Sequence, residues 1–262
     1  IRWQLGFMEV VPMSSVVWIT GASGGIGREV LTRLSDKGWI IIASGRDESK
    51  LDTIADNLEN VHVMPADVTD ENSMKEVASR IRNEFGRLDA LVHAVGSILL
   101  RPLHATSVEQ FSDILTLNLT SAFIAMKHSV PVMMKSGGGR VVLFSTVAAK
   151  LGMPNHSSIG AAKSGLEGLA KAAAADYARR GIRVNVVAPG LTETALSTHL
   201  LSNETSRSIS ENMHPVGRIG QPEEVGSVAA WLVSEAPDWI TGTVIPVDGG
   251  LGNIRAQENR RL

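Results

Sequence analysis

Thr20-Gly21-Ala22-Ser23-Gly24-Gly25-Ile26-Gly27 is the stretch from which the fold can be read. Ahead of it runs Val16-Val17-Trp18-Ile19, apolar and β-branched like a strand buried on both faces. Behind it Ile26, Val30, Leu31 and Leu34 recur at helical spacing. The glycines therefore occupy a strand-to-helix turn. Gly21 suits the tight turn, Gly25 lets the backbone approach a pyrophosphate, and Gly27 lets the helix close on the sheet. Ser23 and Ile26 complete the loop, and Arg28 follows it directly. The N–H groups and positive dipole end of that helix then face the phosphates of a dinucleotide.

Composition sets the outer bounds. The chain has 262 residues, 44% of them hydrophobic, which suits one large α/β domain with a full core. Net charge is −2 and no long basic run appears, which argues against nucleic acid as a partner. There is no cysteine, so disulfides and thiolate metal sites are excluded. No apolar run approaches the ~20 residues needed to cross a bilayer. A cytoplasmic location is compatible with all of this. Residues 1–13 lack an apolar core and a small-residue cleavage site, so they read as a leader or remnant outside the fold. Met8 and Met13 are both possible starts, and the domain is expected over 14–262.

Strands and helices alternate onward from the glycine turn. Trp39–Ala43 reads as a second strand, then a helix carries Leu51, Ile54, Ala55 and Leu58. Val61–Met64 is a third strand, and Met74, Val77, Ala78 and Ile81 mark a helix with Asp70 as its N-cap. Residues 89–96 give the fourth strand and its exit, and 107–134 a long helical region. Arg140–Phe144, after three glycines, is the fifth strand, and Gly181–Ala188 the sixth. This pattern predicts a doubly wound, Rossmann-type parallel sheet in a single α/β domain. Arg46 stands where such a fold meets the adenosine ribose. With Arg28 it favours the 2′-phosphate of NADP(H), while neighbouring Asp47 leaves NAD(H) open.

The glycine spacing resembles Thr-Gly-x-x-x-Gly-x-Gly of the short-chain dehydrogenase/reductase family, and similarity extends from Val16 to Gly250. Asp67-Val68 resembles the family's adenine-contacting pair, although Asp67 also fits a loop cap. Ala94 and Gly96 fit the segment that supports the cofactor, where His93 replaces an asparagine. Pro189-Gly190-Leu191-Thr192-Glu193-Thr194 resembles the loop whose backbone at Leu191 and hydroxyl at Thr194 would hold the nicotinamide carboxamide. Residues 195–214 fall where the family carries its substrate loop. Dimers or tetramers are implied in the same way.

The family's catalytic residues map onto this chain with one gap. Thr146 stands at the serine position and Lys163 at the lysine, which would hold the nicotinamide ribose. Asn118 matches an asparagine that holds a water beside that lysine, though an amide bonded within the core would also explain it. The tyrosine four residues before the lysine is Ile159, which has no proton to exchange. The single tyrosine, Tyr177, lies too far along the same helix to substitute. His156 is the nearest titratable group and the candidate acid/base, unless Asn155-His156-Ser157 merely opens the helix. A substrate hydroxyl or an ordered water is a third source of the proton. Two functions follow from these residues. One is an NAD(P)-dependent oxidoreductase acting on a small carbonyl or alcohol with an atypical proton donor. The other is a catalytically idle nucleotide-binding sensor or scaffold.

Overall fold

The computed structural model describes residues 14–56 and 58–255; the expected leader lies outside the described residues. Seven strands form one sheet: β1 (Val16–Thr20), β2 (Ile40–Ser44), β3 (Val61–Val63), β4 (Ala90–His93), β5 (Gly139–Phe144), β6 (Ile182–Pro189) and β7 (Val244–Val247). Their order is β3-β2-β1-β4-β5-β6-β7 and every pairing is parallel. The strands are largely apolar because helices cover both faces. Val17 and Ile19 pack with Val30, Leu31 and Leu34 of α1 (Gly25–Asp36) and with Val225 and Ala229 of α8 (Pro222–Ser234). Their neighbours Val16 and Trp18 point the other way. They pack with Met74 and Ile81 of α3 (Glu71–Phe85), Met126 and Val130 of α5 (Ser121–Lys135), and Leu166 of α6 (Ser157–Tyr177). The period-2 alternation of strand side chains thus builds two cores on one sheet.

The order reverses between β1 and β4, where Thr20 stands opposite His93 at the carboxyl ends of both strands. In a doubly wound sheet the crevice beyond that reversal is the ligand site. The expected N-cap holds: Asp70 caps α3 through the Asn72 N–H at 2.9 Å. Pro222 is the first residue of α8. Among the described residues no helix is long and apolar enough to cross a membrane.

Four local expectations are corrected. Trp39 precedes β2, and its carbonyl accepts from the Asn60 side chain at 2.8 Å. Leu58 lies beyond α2 (Glu48–Ala55), where extended backbone at Asp56 ends the helix, yet it still packs on the α1 core. The long helical region 107–134 is two helices, α4 (Val108–Leu115) and α5, joined by one wider π-turn over Thr116–Thr120. The polar stretch 195–214 holds a short 3₁₀ turn and then α7 (Glu204–Met213), capped by Asn203, which accepts from the Ser206 N–H at 2.8 Å.

A side chain at Gly27 has no room, since its Cβ would sit 2.2 Å from the carbonyl oxygen of Gly21. Gly27→Ala is therefore expected to cost about 2–3 kcal/mol through forced displacement of the turn. Urea denaturation checks it: the midpoint falls while the slope stays constant.

Candidate active site

The start of α1 is built to receive an anion. Gly24 provides no side-chain cap, and the first helical turn has no acidic residue. The N–H groups of Gly25, Ile26 and Gly27 have no acceptor among the described residues, leaving the positive end of the helix uncompensated. Thr194 closes on this turn, its Cγ2 lying 3.1 Å from where a Cβ on Gly25 would be. The fold thus brings the loop Pro189–Thr194 against the glycine loop. Ala94 joins β4 to the same corner, its N–H donating to the Thr20 carbonyl at 2.9 Å.

At the adenosine end Arg28 and Arg46 are both exposed, and neither forms an ion pair among the described residues. Val68 is buried. The Asp67 carboxylate accepts from the Thr69 hydroxyl at 2.7 Å and its N–H at 2.9 Å. Those bonds, with the charge of nearby Arg46, hold its carboxyl below the usual range. Asp67 thus caps its own loop and also stands beside Arg46. Asp47 is already engaged as the α2 cap: it accepts from the Ser49 hydroxyl at 2.7 Å and the Lys50 N–H at 3.2 Å, and pairs with the Lys50 ammonium. These bonds, the Ser49 hydroxyl first, lower its carboxyl to about 2.

The lysine lies at the end of β5. Lys163 Nζ donates to the Phe144 carbonyl at 2.9 Å, and burial pushes its ammonium down to about 8. A second residue on the same helix face fixes this strand end: Ser145 donates to the buried Glu167 carboxylate at 2.8 Å. Thr146 follows with extended backbone, its hydroxyl accepting weakly from the Ala148 N–H at 3.4 Å. Gly96 sits between Asn118 and Lys163, since a Cβ there would lie 2.9 Å from Asn118 Oδ1 and 3.4 Å from Lys163 Nζ. Asn118 is fully buried in the π-turn. Its amide nitrogen donates to Ser97 Oγ and to the Ile114 carbonyl, both at 3.1 Å, and its oxygen accepts from the Ser97 N–H at 3.1 Å. The side-chain amide is therefore satisfied within the protein, which is the in-core alternative left open by the sequence.

His93 joins this corner to the cofactor turn. Ser121 donates to the Leu117 carbonyl at 2.6 Å, so it accepts from His93 Nε2–H at 3.0 Å, and His93 Nδ1 accepts from the Thr20 hydroxyl at 2.8 Å. Desolvation, with the charge of Lys163 added, pushes the ring down to about 3, so it is neutral.

Ile159 is buried with Ile114 and Ala162, and Leu99 and Leu115 pack beside them. The place of the tyrosine is therefore an apolar patch. His156 precedes α6 as its N-cap residue but provides no side-chain cap. Its Nδ1 bonds the Pro154 carbonyl at 2.7 Å, and Nε2 has no partner among the described residues. In the Pro189–Thr194 loop both backbone groups of Leu191 are engaged. Its N–H goes to His214 Nε2 at 3.1 Å and its carbonyl accepts from the Gly220 N–H at 3.0 Å. The next N–H, of buried Thr192, has no partner among the described residues. Sequence reasoning missed Thr192, His214, Ser97 and Glu167. Only Glu167 left a trace in the sequence, a carboxylate one turn beyond Lys163 on a buried face.

Glycine turn, buried lysine and the Pro189–Thr194 loop, all at the carboxyl ends of the strands, define a dinucleotide-dependent dehydrogenase or reductase site. A family model described as enoyl-(acyl carrier protein) reductase matches residues 21–252. The chain belongs to the short-chain dehydrogenase/reductase family. It is 35% identical over 237 residues to a 3-oxoacyl-[acyl-carrier-protein] reductase of Haemophilus influenzae, covering 90% of this chain and 97% of that one. It is also 35% identical over 240 residues to the cis-4-hydroxycyclohexanecarboxylate dehydrogenase of Sinomonas cyclohexanicum, covering 90% and 95%. The structure of ElxO with NADP bound superposes with a TM-score of 0.86 at 31% identity, covering 91% of this chain and 99% of that one.

The neutral His93 has a measurable consequence. Its folded value of about 3 lies below the ordinary 6.5, so between these pH values the unfolded chain binds a proton that the folded protein refuses. Stability from this group is complete above about pH 6.5 and is lost as pH falls toward 3. Thermal melts from pH 7 to pH 4 are expected to fall more steeply for the unaltered protein than for His93→Asn.

Proposed function

We propose that this protein is an NADP(H)-preferring oxidoreductase that moves hydride between the nicotinamide and a small carbonyl or alcohol. One observation carries the reading. Among the described residues α1 opens with three N–H groups that have no acceptor and with no acidic residue in its first turn, beside two exposed arginines that form no ion pair. That set fits a pyrophosphate with a 2′-phosphate, and the engagement of Asp47 in capping α2 removes the main argument for NAD(H). The similarity to an NADP-bound structure and to a 3-oxoacyl reductase supports the same assignment.

Each residue then has a part. Gly21, Ser23, Gly25, Ile26 and Gly27 hold the pyrophosphate, with Arg28 and Arg46 on the 2′-phosphate. Asp67 and Val68 border the adenine; Ala94 and Gly96 back the cofactor. Lys163 holds the nicotinamide ribose, and Pro189, Gly190 and Thr194 shape the carboxamide pocket, with Leu191 acting through its place in the loop. Bound nicotinamide supplies or accepts the hydride. The Thr146 hydroxyl orients the substrate oxygen, and Asn118 keeps the loop after β4 beside Lys163. His156 exchanges the proton at Nε2, because the Pro154 carbonyl engages Nδ1. The patch of Ile159, Ile114 and Leu99 suits an apolar flank on the substrate. A cytoplasmic homodimer or homotetramer completes the proposal, and sedimentation measures the assembly.

Titration with NADPH and NADH tests the cofactor. Tight NADPH and weak NADH binding is expected, with the preference reduced in Arg46→Glu; tighter NADH binding defeats the arginine argument. For the proton donor, a panel of carbonyls and alcohols is assayed with His156→Ala. Turnover is expected to fall on the order of 10²–10⁴-fold with cofactor affinity kept. Unchanged turnover removes His156 from the mechanism. Turnover that emerges only in Ile159→Tyr would mean that the natural chain binds nucleotide and does no chemistry.

A further inference from the structure

We propose that His214 is a positioning residue for the nicotinamide end of the site: it locks the Pro189–Thr194 loop to α7 and so sets the direction of the Thr192 N–H. The inference rests on the dinucleotide reading above. His214 is buried at 4% exposure, and both ring nitrogens are used. Nδ1 donates to the Ser210 carbonyl of α7 at 2.7 Å, and Nε2 accepts from the Leu191 N–H at 3.1 Å. One ring therefore joins the substrate-side helix to the residue before Thr192. The pairing fixes the ring in one neutral tautomer, with its proton on Nδ1.

The loop needs such a tie. Behind it opens a cavity of about 250 Å³ lined by Gly190, Leu191, His214, Val216, Arg218 and Asp248, among others. Beside this cavity two directional bonds place Leu191, His214 Nε2 on its N–H and the Gly220 N–H on its carbonyl. A side chain at position 190 would meet Nε2 at 2.7 Å, which leaves glycine as the residue that admits the ring. The other link between α7 and this loop is Arg207 with Glu193, a pair whose members are 38% and 42% exposed. Exposed ion pairs contribute little. The buried histidine is the stronger constraint. The carbonyl of Thr192 is also held, accepting from the Ser197 hydroxyl at 2.6 Å. The plane that carries the Thr192 N–H also carries the Leu191 carbonyl, which accepts from the Gly220 N–H at 3.0 Å; His214 fixes the peptide plane before it and Ser197 the one after, so the Thr192 N–H has one orientation, ready to donate.

The test compares two ligands that share one end. NADPH reaches the nicotinamide loop, whereas adenosine 2′,5′-bisphosphate does not. His214→Leu removes both ring bonds at similar volume; His214→Gln keeps one acceptor and one donor. Calorimetric titration is expected to show the NADPH Kd raised about tenfold in the Leu variant, with the bisphosphate within about twofold and the Gln variant restoring most of the loss. Equal weakening of both ligands, or weakening of neither, overturns the proposal. Should His214→Leu not fold, His214→Asn, too short to span Leu191 and Ser210, takes its place with the same expectations. Failure of the unaltered protein to bind either ligand overturns the dinucleotide reading and this proposal with it.

Discussion

A buried imidazole at the sheet reversal is the constraint on which the site depends. The chain of bonds from Thr20 through His93 and Ser121 to the Leu117 carbonyl spans the point where the strand order turns back. One end of it is the last residue before the glycine turn. The other is a carbonyl in the π-turn, one residue before Asn118. Every donor in the chain has an acceptor, so the polar atoms enter the core without the penalty of 1–3 kcal/mol that an unpaired group carries. Because the ring is neutral, it transmits geometry and adds no charge beside the buried Lys163. The glycine turn and the π-turn are thereby held together.

Around these turns each active-site element is held by a neighbour on a different secondary structure. Lys163 of α6 holds the end of β5 through Phe144, and Glu167 one turn later holds Ser145. Asn118 fixes the loop after β4 through Ser97. The carbonyl of Ile114 that accepts from Asn118 belongs to a residue whose side chain packs on Ile159. The apolar patch in place of a tyrosine is thus continuous with the polar cluster around Lys163. Such an arrangement is rigid where a cofactor would lie. It is looser toward α7, which has no buried residue and exposes Ile209 and Met213.

Much of this was legible in the sequence, for reasons that differ by element. The strands announce themselves because a parallel sheet covered on both faces selects long apolar runs, as Val16–Ile19 and Val141–Phe144 are. The glycine turn is legible because close backbone approach excludes every other residue at Gly27. Lys163 is placed by its spacing from Thr146, and Asn118 by resemblance to the family within a helical stretch. What stays hidden depends on long-range partners. Nothing near His214 in sequence points to Leu191, twenty-three residues earlier. The π-turn is invisible to periodicity because one extra residue in a turn shifts the apolar pattern by less than its own variation. The role of Asp47 was ambiguous for a similar reason: an aspartate after a strand suits a ribose or a helix cap, and the Ser49 and Lys50 partners decide for the cap.

The last strand of the sheet carries a consequence for how copies of this chain can meet. Thr243 and Val247 turn their carbonyls toward β6, accepting from Val186 and Gly190, so the alternate residues Val244 and Pro246 face away from the sheet. Proline has no N–H, and at that outer position its ring interrupts the row of donors that an open strand offers. A second sheet cannot add to this edge through a regular ladder of backbone bonds. The fold thus guards its open side against strand-by-strand aggregation, and any assembly at β7 must be made by side chains.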